Sequence, residues 1–240
     1  MGHVAIPRLV LAVGLAALPA VARTEDKTTL AILLGGRKAG AETVVREMPD
    51  SGTYRDTVRV ELTTPGGLPL TIDSTLVLRE TLETLVPTRY TFEAKVAGRE
   101  TSVRLDFEGG RVRGAITEAG QERAVDLDAG KDFVLLENNV FHPYRAMYRR
   151  YNFDKGGVQT VPALVPSAGV VLEARMERKG TARVKREGKA EMLERVEVRL
   201  GDLVFDLYGT RGGRFLFLEC ASLALRAAMP GYEEAELPLR

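Results

Sequence analysis

The sequence predicts a mainly β protein: a curved antiparallel sheet, half-barrel or open barrel, with one short helix near residues 141–153. Three observations carry this. Period-two alternation of apolar and charged residues dominates the chain. Glycine-containing turn signals cut it at short intervals. One stretch alone keeps helical spacing, so the strand–helix–strand rhythm of a doubly wound nucleotide-binding sheet is missing.

The alternating segments come in order. Val58, Val60 and Leu62 alternate with Arg59 and Glu61. Leu70, Ile72, Leu76 and Leu78 share one parity, with Ser74 between them. Tyr90, Phe92, Ala94 and Val96 follow, then Val103, Leu105 and Phe107. Beyond the middle, Leu172, Ala174 and Met176 alternate with Glu173, Arg175 and Glu177, and Val196, Val198 and Leu200 with charged neighbours. One apolar and one charged face is the mark of a half-buried antiparallel strand. The outer charges are expected to pair across strands on a wet face. Turns such as Gly35-Gly36, Pro65-Gly66-Gly67, Gly109-Gly110, Gly130, Lys179-Gly180 and Gly212-Gly213 predict short strands in a meander, sandwich or open barrel.

The exception runs from Phe141 to Phe153. Pro143 suits a first helical position. Tyr144, Met147, Tyr148 and Tyr151 recur at helical spacing, and Gly156-Gly157 is the expected stop. Such a helix would cover a sheet face or a barrel mouth. It divides the chain into two β halves that we expect to share one sheet system.

The first residues read as an address. Arg8 precedes the apolar run Leu9–Leu18, which ends in Pro19-Ala20-Val21-Ala22. A basic start, a short apolar stretch and a small-x-small site form a secretory signal. The run is too short for a spanning helix, which needs about 20 apolar residues. Residues 1–22 are therefore expected to be a signal peptide cleaved after Ala22, and residues 23–240 a single β-rich domain, periplasmic or secreted.

Composition removes several function classes. Of 34 Lys+Arg and 33 Asp+Glu, cleavage takes only Arg8, leaving equal numbers. A neutral chain has no electrostatic footprint for nucleic acid. Cys220 is the one cysteine, so no intramolecular disulfide forms, and its strand-like context makes it a small buried residue. After Ala22 the one histidine is His142, which excludes zinc sites of two or three histidines. A Ser-His-Asp triad would have to use His142; Ser167 is the best serine but lacks the Gly-x-Ser-x-Gly elbow. No phosphate-cradling or dinucleotide glycine loop is present. Asp126, Asp128 and Glu137 match three ligand positions of a calcium loop, but Lys131 stands where glycine is needed, so this stretch is read as an acidic hairpin turn. No cofactor or metal is expected. A carboxylate pair of glycosidase type stays open, although the absence of tryptophan weakens a carbohydrate-active reading.

Asn138, Asn139, His142 and Tyr144 form a polar cluster near the helix start. They could line a pocket mouth. The structural alternative, preferred here, has the asparagines in turns and the imidazole bonded to backbone.

Three regions carry a family resemblance: Gly40-Ala-Glu42-Thr-Val-Val after a Gly-Gly turn; Leu135–Asn139 to Pro143-Tyr144, followed by Val161–Pro166; and Leu203–Asp206 through Gly213–Glu219, closing near Leu225-Arg226. In these the chain resembles exported β-rich domains of unknown function from Gram-negative bacteria, similar in architecture to LolA/LolB-type lipoprotein carriers. The resemblance implies a strongly curved antiparallel sheet able to enclose an apolar ligand, and no catalytic residues. On the concave face of such a sheet we expect Phe92, Phe107, Met176 and Phe205, beside Leu76 and Leu105. With Asn138, Asn139, His142 and Tyr144 these make up the expected ligand-binding set. The favoured function is binding or carrying an apolar or lipid-like ligand in the cell envelope, as a monomer. The alternatives are a structural or assembly module acting on an envelope protein partner, and, third, an enzyme using His142 or a carboxylate pair.

Overall fold

The computed structural model describes residues 23–82, 84–186 and 188–237. Residues 1–22, on which the expected signal peptide falls, lie outside the described residues.

The chain runs β1 (Arg23–Leu34), β2 (Arg37–Asp50), β3 (Thr53–Thr63), β4 (Pro69–Glu80), β5 (Leu85–Val96), β6 (Arg99–Glu108), β7 (Arg111–Glu118), β8 (Gln121–Asp128) and β9 (Val134–Leu135). A helix, α1 (Pro143–Arg150), interrupts it. Then come β10 (Val158–Val165), β11 (Val170–Arg186), β12 (Lys189–Leu200), β13 (Leu203–Gly209), β14 (Phe215–Cys220) and β15 (Leu225–Ala228). All belong to one open sheet ordered β8 to β1, then β15 back to β9. Every pairing is antiparallel except the short parallel contact of β9 with β10. The two halves join where β1 pairs with β15, as in Ile32 opposite Ala227.

This order places the sheet's two edges, β8 and β9, next to each other in sequence. They also approach in space. Arg123 on β8 donates to the carbonyls of Ser167 and Ala168, at 3.3 and 2.7 Å, in the turn between β10 and β11. Gly169 in that turn has φ +65°, and a Cβ there would stand 2.8 Å from Arg123 and 3.1 Å from Ile116. Side-chain bonds and close packing thus bridge the seam where a closed barrel would have a strand ladder.

Inside, the alternating residues of both halves form the main core, including Ile32, Val60, Ile72, Leu105, Val112, Leu164 and Val198. α1 packs into it through Tyr144, Met147 and Tyr148. Tyr148 reaches Gly209, where a Cβ would meet its ring at 2.7 Å, and its hydroxyl donates to the Thr210 carbonyl at 3.1 Å. On the opposite face of β11 to β15 a second cluster, with Val184, Leu193, Tyr208 and Phe217, is covered by Tyr232 and Ala235 from the chain's end.

Three expectations need correction. The strands are long, reaching 17 residues in β11, because a bulge beside Gly180 lets one strand bend where a turn was read. The helix is shorter than 141–153. Tyr151 is extended at φ −65°, ψ 116°, and its hydroxyl donates to the Gly157 carbonyl at 2.9 Å, so the tyrosine spacing continues into a turn. The acidic stretch at 126–132 is no hairpin. β8 is an edge, and the chain leaves it to carry Phe133 inward against Phe107, with ring centres 5.6 Å apart.

Candidate functional site

The sheet curves more widely than its core and helix fill. An open cavity of about 760 Å³ remains between the inner faces of β2 to β6 and α1. Its walls are apolar: Val44, Val58, Leu76, Leu78, Phe107 and Phe133, among others. Alternation puts the first five there, since each occupies the inward parity of its strand, and Phe133 comes from the segment between β8 and β9. The hairpin end between β4 and β5 supplies a lip of Leu85, Val86 and Pro87, next to a fully exposed Leu82.

The other side of the mouth is cationic. Arg46, Lys131, Arg145, Arg149 and Arg150 line the cavity against the carboxylates of Asp26, Asp56 and Asp132. Arg46 makes a bidentate pair with buried Asp56, at 2.7 and 2.6 Å. Arg150 pairs with Asp132 at 3.0 Å. Arg145 instead donates to the Thr28 hydroxyl at 3.1 Å. Burial first, and the neighbouring Arg149 second, hold its guanidinium below the usual value.

Two buried glutamates hold the segment that leads into α1. Glu42, 0% exposed, accepts the backbone N–H groups of Phe141 at 2.6 Å and His142 at 3.0 Å. His142 Nδ1 lies 2.6 Å from the same carboxylate. The carboxylate favours the proton on Nδ1, and charge-assisted bonds of this kind are strong ones. Glu137 accepts the N–H groups of Asn138 (2.8 Å) and Ser167 (2.9 Å) and the Ser167 hydroxyl. Burial keeps its carboxyl above the ordinary glutamate value, although these bonds oppose the shift.

Deeper in the cavity lies Tyr90, 2% exposed. Its hydroxyl has no hydrogen-bond partner among the described residues. Burial pushes its ionisation well above the usual phenol value. Ser74 lies close enough to ease that shift but outside hydrogen-bond geometry.

With this geometry in view, comparison with known proteins shows a likeness of fold. The chain is similar to the crystal structure of the beta-barrel-like protein of domain of unknown function DUF1849 from Brucella abortus. The likeness covers 89% of this chain and 98% of the other, with a TM-score of 0.50 and 10% identity. No protein-family model and no curated protein matches the sequence. The shared architecture is a β-rich, barrel-like domain of unknown function.

The expected ligand-binding set is dispersed by this architecture. Phe107 and His142 line the cavity. Phe92, Met176 and Phe205 are buried in the main core, and Tyr144 packs on Phe205 with ring centres 4.8 Å apart. Asn138 and Asn139 are exposed, and Asn139 takes the left-handed φ of 61° that asparagine tolerates in turns. The imidazole is bonded to a carboxylate, not to backbone as preferred above. Ser167 bonds Glu137 and not His142, so the two residues form no relay.

Glu42 was not singled out from the sequence, although a signal exists. It shares the inward parity of Val44, so an acid stands where the strand pattern calls for an apolar residue. The cavity's arginines had a weaker signal: Arg145 and Arg149 are one helical turn apart, but nothing in the sequence shows which surface they meet.

Proposed function

We propose that the chain is an exported cell-envelope protein that binds or carries an apolar or lipid-like ligand in the periplasm. The observation that supports it best is the open apolar cavity, which the core and α1 leave unfilled. Cavities of roughly 300–1,000 Å³ lined by apolar side chains with a few polar groups are the usual form of small-molecule sites. The apolar lip at Leu82, Leu85 and Val86 offers a greasy chain a place to enter. The resemblance to lipoprotein carriers implies the same feature, a concave apolar sheet face, and is part of this proposal.

The test is organic extraction of purified protein followed by mass spectrometry, with a fluorescent fatty acyl probe in parallel. Wild-type protein is expected to release acyl compounds and to bind the probe. Leu76→Trp, which places an indole in the cavity, is expected to lower probe affinity at least tenfold while thermal unfolding stays cooperative. A lipid-free protein that ignores the probe would sink the reading. Export is tested separately by N-terminal sequencing of the protein recovered from a Gram-negative host: the expected first residue is Arg23, and an intact Met1 start would contradict it.

A further inference from the structure

We infer that the cavity is built for an anionic amphiphile, with the acyl chain on the apolar wall and a phosphate or carboxylate head between Arg145 and Arg149. This rests on the binding role proposed above and names the class of ligand.

The charge count points this way first. Five cationic side chains meet three carboxylates around the cavity. Arg46 is matched by Asp56 and Arg150 by Asp132. That leaves Arg145, Arg149 and Lys131 facing Asp26, whose oxygen takes the Thr28 hydroxyl at 3.4 Å. Arg145 and Arg149 make no ion pair among the described residues.

The position of Arg145 is the second argument. Basic residues in the last turn of a helix, such as Arg149 and Arg150 in α1, offset the helix dipole and need no further explanation. Arg145 stands in the first turn, where the dipole disfavours a cation and where α1 has no acid. It is also half-buried and has Arg149 beside it. A half-buried charge with no directly paired counter-ion is costly, and Asp26 and Asp56 act on Arg145 without forming an ion pair. An anion seated against both guanidinium groups would remove that cost, and planar guanidinium donors suit phosphate and carboxylate oxygens.

Third, the cavity holds a buried hydroxyl that forms no well-aligned hydrogen bond, although Ser74 lies near it. Buried polar atoms without partners are rare in native structures. Tyr90 has such a hydroxyl on the apolar side of the site. A ligand with an ester or amide oxygen partway along its chain would supply the missing acceptor.

The experiment compares three lipids with the same single acyl chain: lysophosphatidic acid, lysophosphatidylcholine and monoacylglycerol, each displacing a fluorescent acyl probe from the full exported protein. Lysophosphatidic acid is expected to bind at least about tenfold more tightly than monoacylglycerol, equivalent to about 1.4 kcal/mol. The preference should weaken with salt. Arg149→Gln, at an exposed position, should cut the ratio severalfold, and Arg145→Gln should bring it near one, whereas Arg145→Lys keeps part of it. If Arg145→Gln fails to fold, Arg149→Gln and the wild-type series still decide. Short-chain butyl phosphate separates an amphiphile from a free phosphate ester; binding as tight as that of lysophosphatidic acid would overturn the amphiphile. Equal affinity for all three lipids would overturn the anionic head and leave the binding role standing. Failure to bind any of them would remove the binding role itself.

Discussion

In the half built from β3 to β7 each strand buries one face, whereas β13 and β14 bury both. The first group reads in and out: β3 alternates buried and exposed residues from Asp56 to Thr63. Its wet face carries register-matched ion pairs, such as Arg59 with Asp73 at 3.1 Å and Arg89 with Asp106 at 2.9 Å. In the second group Phe215, Leu216, Phe217 and Leu218 are all buried. The residues after β15 fold back over them: Tyr232 stacks on Phe217, which stacks on Tyr208 at 4.5 Å. Arg226 ties the cover down through Glu219 and the carbonyls of Glu233 and Ala235. A sheet covered on both faces is the stiffer wall. The cavity belongs to the half with one core, where the concave face is opposed by α1 and the segment from Gly130 to Val140.

Substitutions should separate the halves. The largest effect is expected at Phe217, fully buried in the doubly covered half: Phe217→Ala should cost about 3–5 kcal/mol, read as a lower urea midpoint. Gly209→Ala comes next. A Cβ there meets the Arg214 carbonyl at 2.2 Å and the Tyr148 ring, so overpacking should cost about 1–3 kcal/mol and shift α1, visible as altered tyrosine near-ultraviolet dichroism.

Glu137 should give a smaller, pH-dependent signal. Its folded carboxyl holds its proton to higher pH than the reference 4.5, chiefly through burial. Between those values the folded state binds more protons than the unfolded one, so this group's contribution to stability falls as pH rises through the window. The difference in urea midpoint between wild type and Glu137→Gln should therefore change with pH from 4 to 7; a constant difference would show that Glu137 does not titrate in this way. The smallest effect is expected at Arg89, two-thirds exposed in its pair with Asp106: Arg89→Ala should leave the midpoint within error of wild type. A large loss there would mean that the wet face is not wet.

Much of the sheet was legible because alternation is local. Val58, Val60 and Leu62 announce their own strand and its inward face. The outer ion pairs were legible as a class, since opposite charges on one parity pair across neighbours. The doubly buried run at Phe215–Leu218 was readable as a strand, but its cover was not: nothing in residues 229–237 says that they fold back. The site was less legible still. Phe92 and Phe205 carry the same inward pattern as Phe107, yet only Phe107 meets the cavity. Parity tells which face a residue takes and is silent on what lies opposite.

The sequence by itself therefore determined the β class, the wet and dry faces, the helix at Pro143–Arg150 to within a turn, and the chemistry ruled out by one cysteine and by a single histidine after Ala22. Tertiary structure decided the order of the strands around the seam, the burial of Glu42 against His142, and the meeting of Arg145 with an apolar cavity. The reason is separation along the chain. Glu42 and His142 stand 100 residues apart, and Arg145 and Thr28 stand 117 apart. Contacts of that range depend on how far the whole sheet curls, which no local pattern encodes.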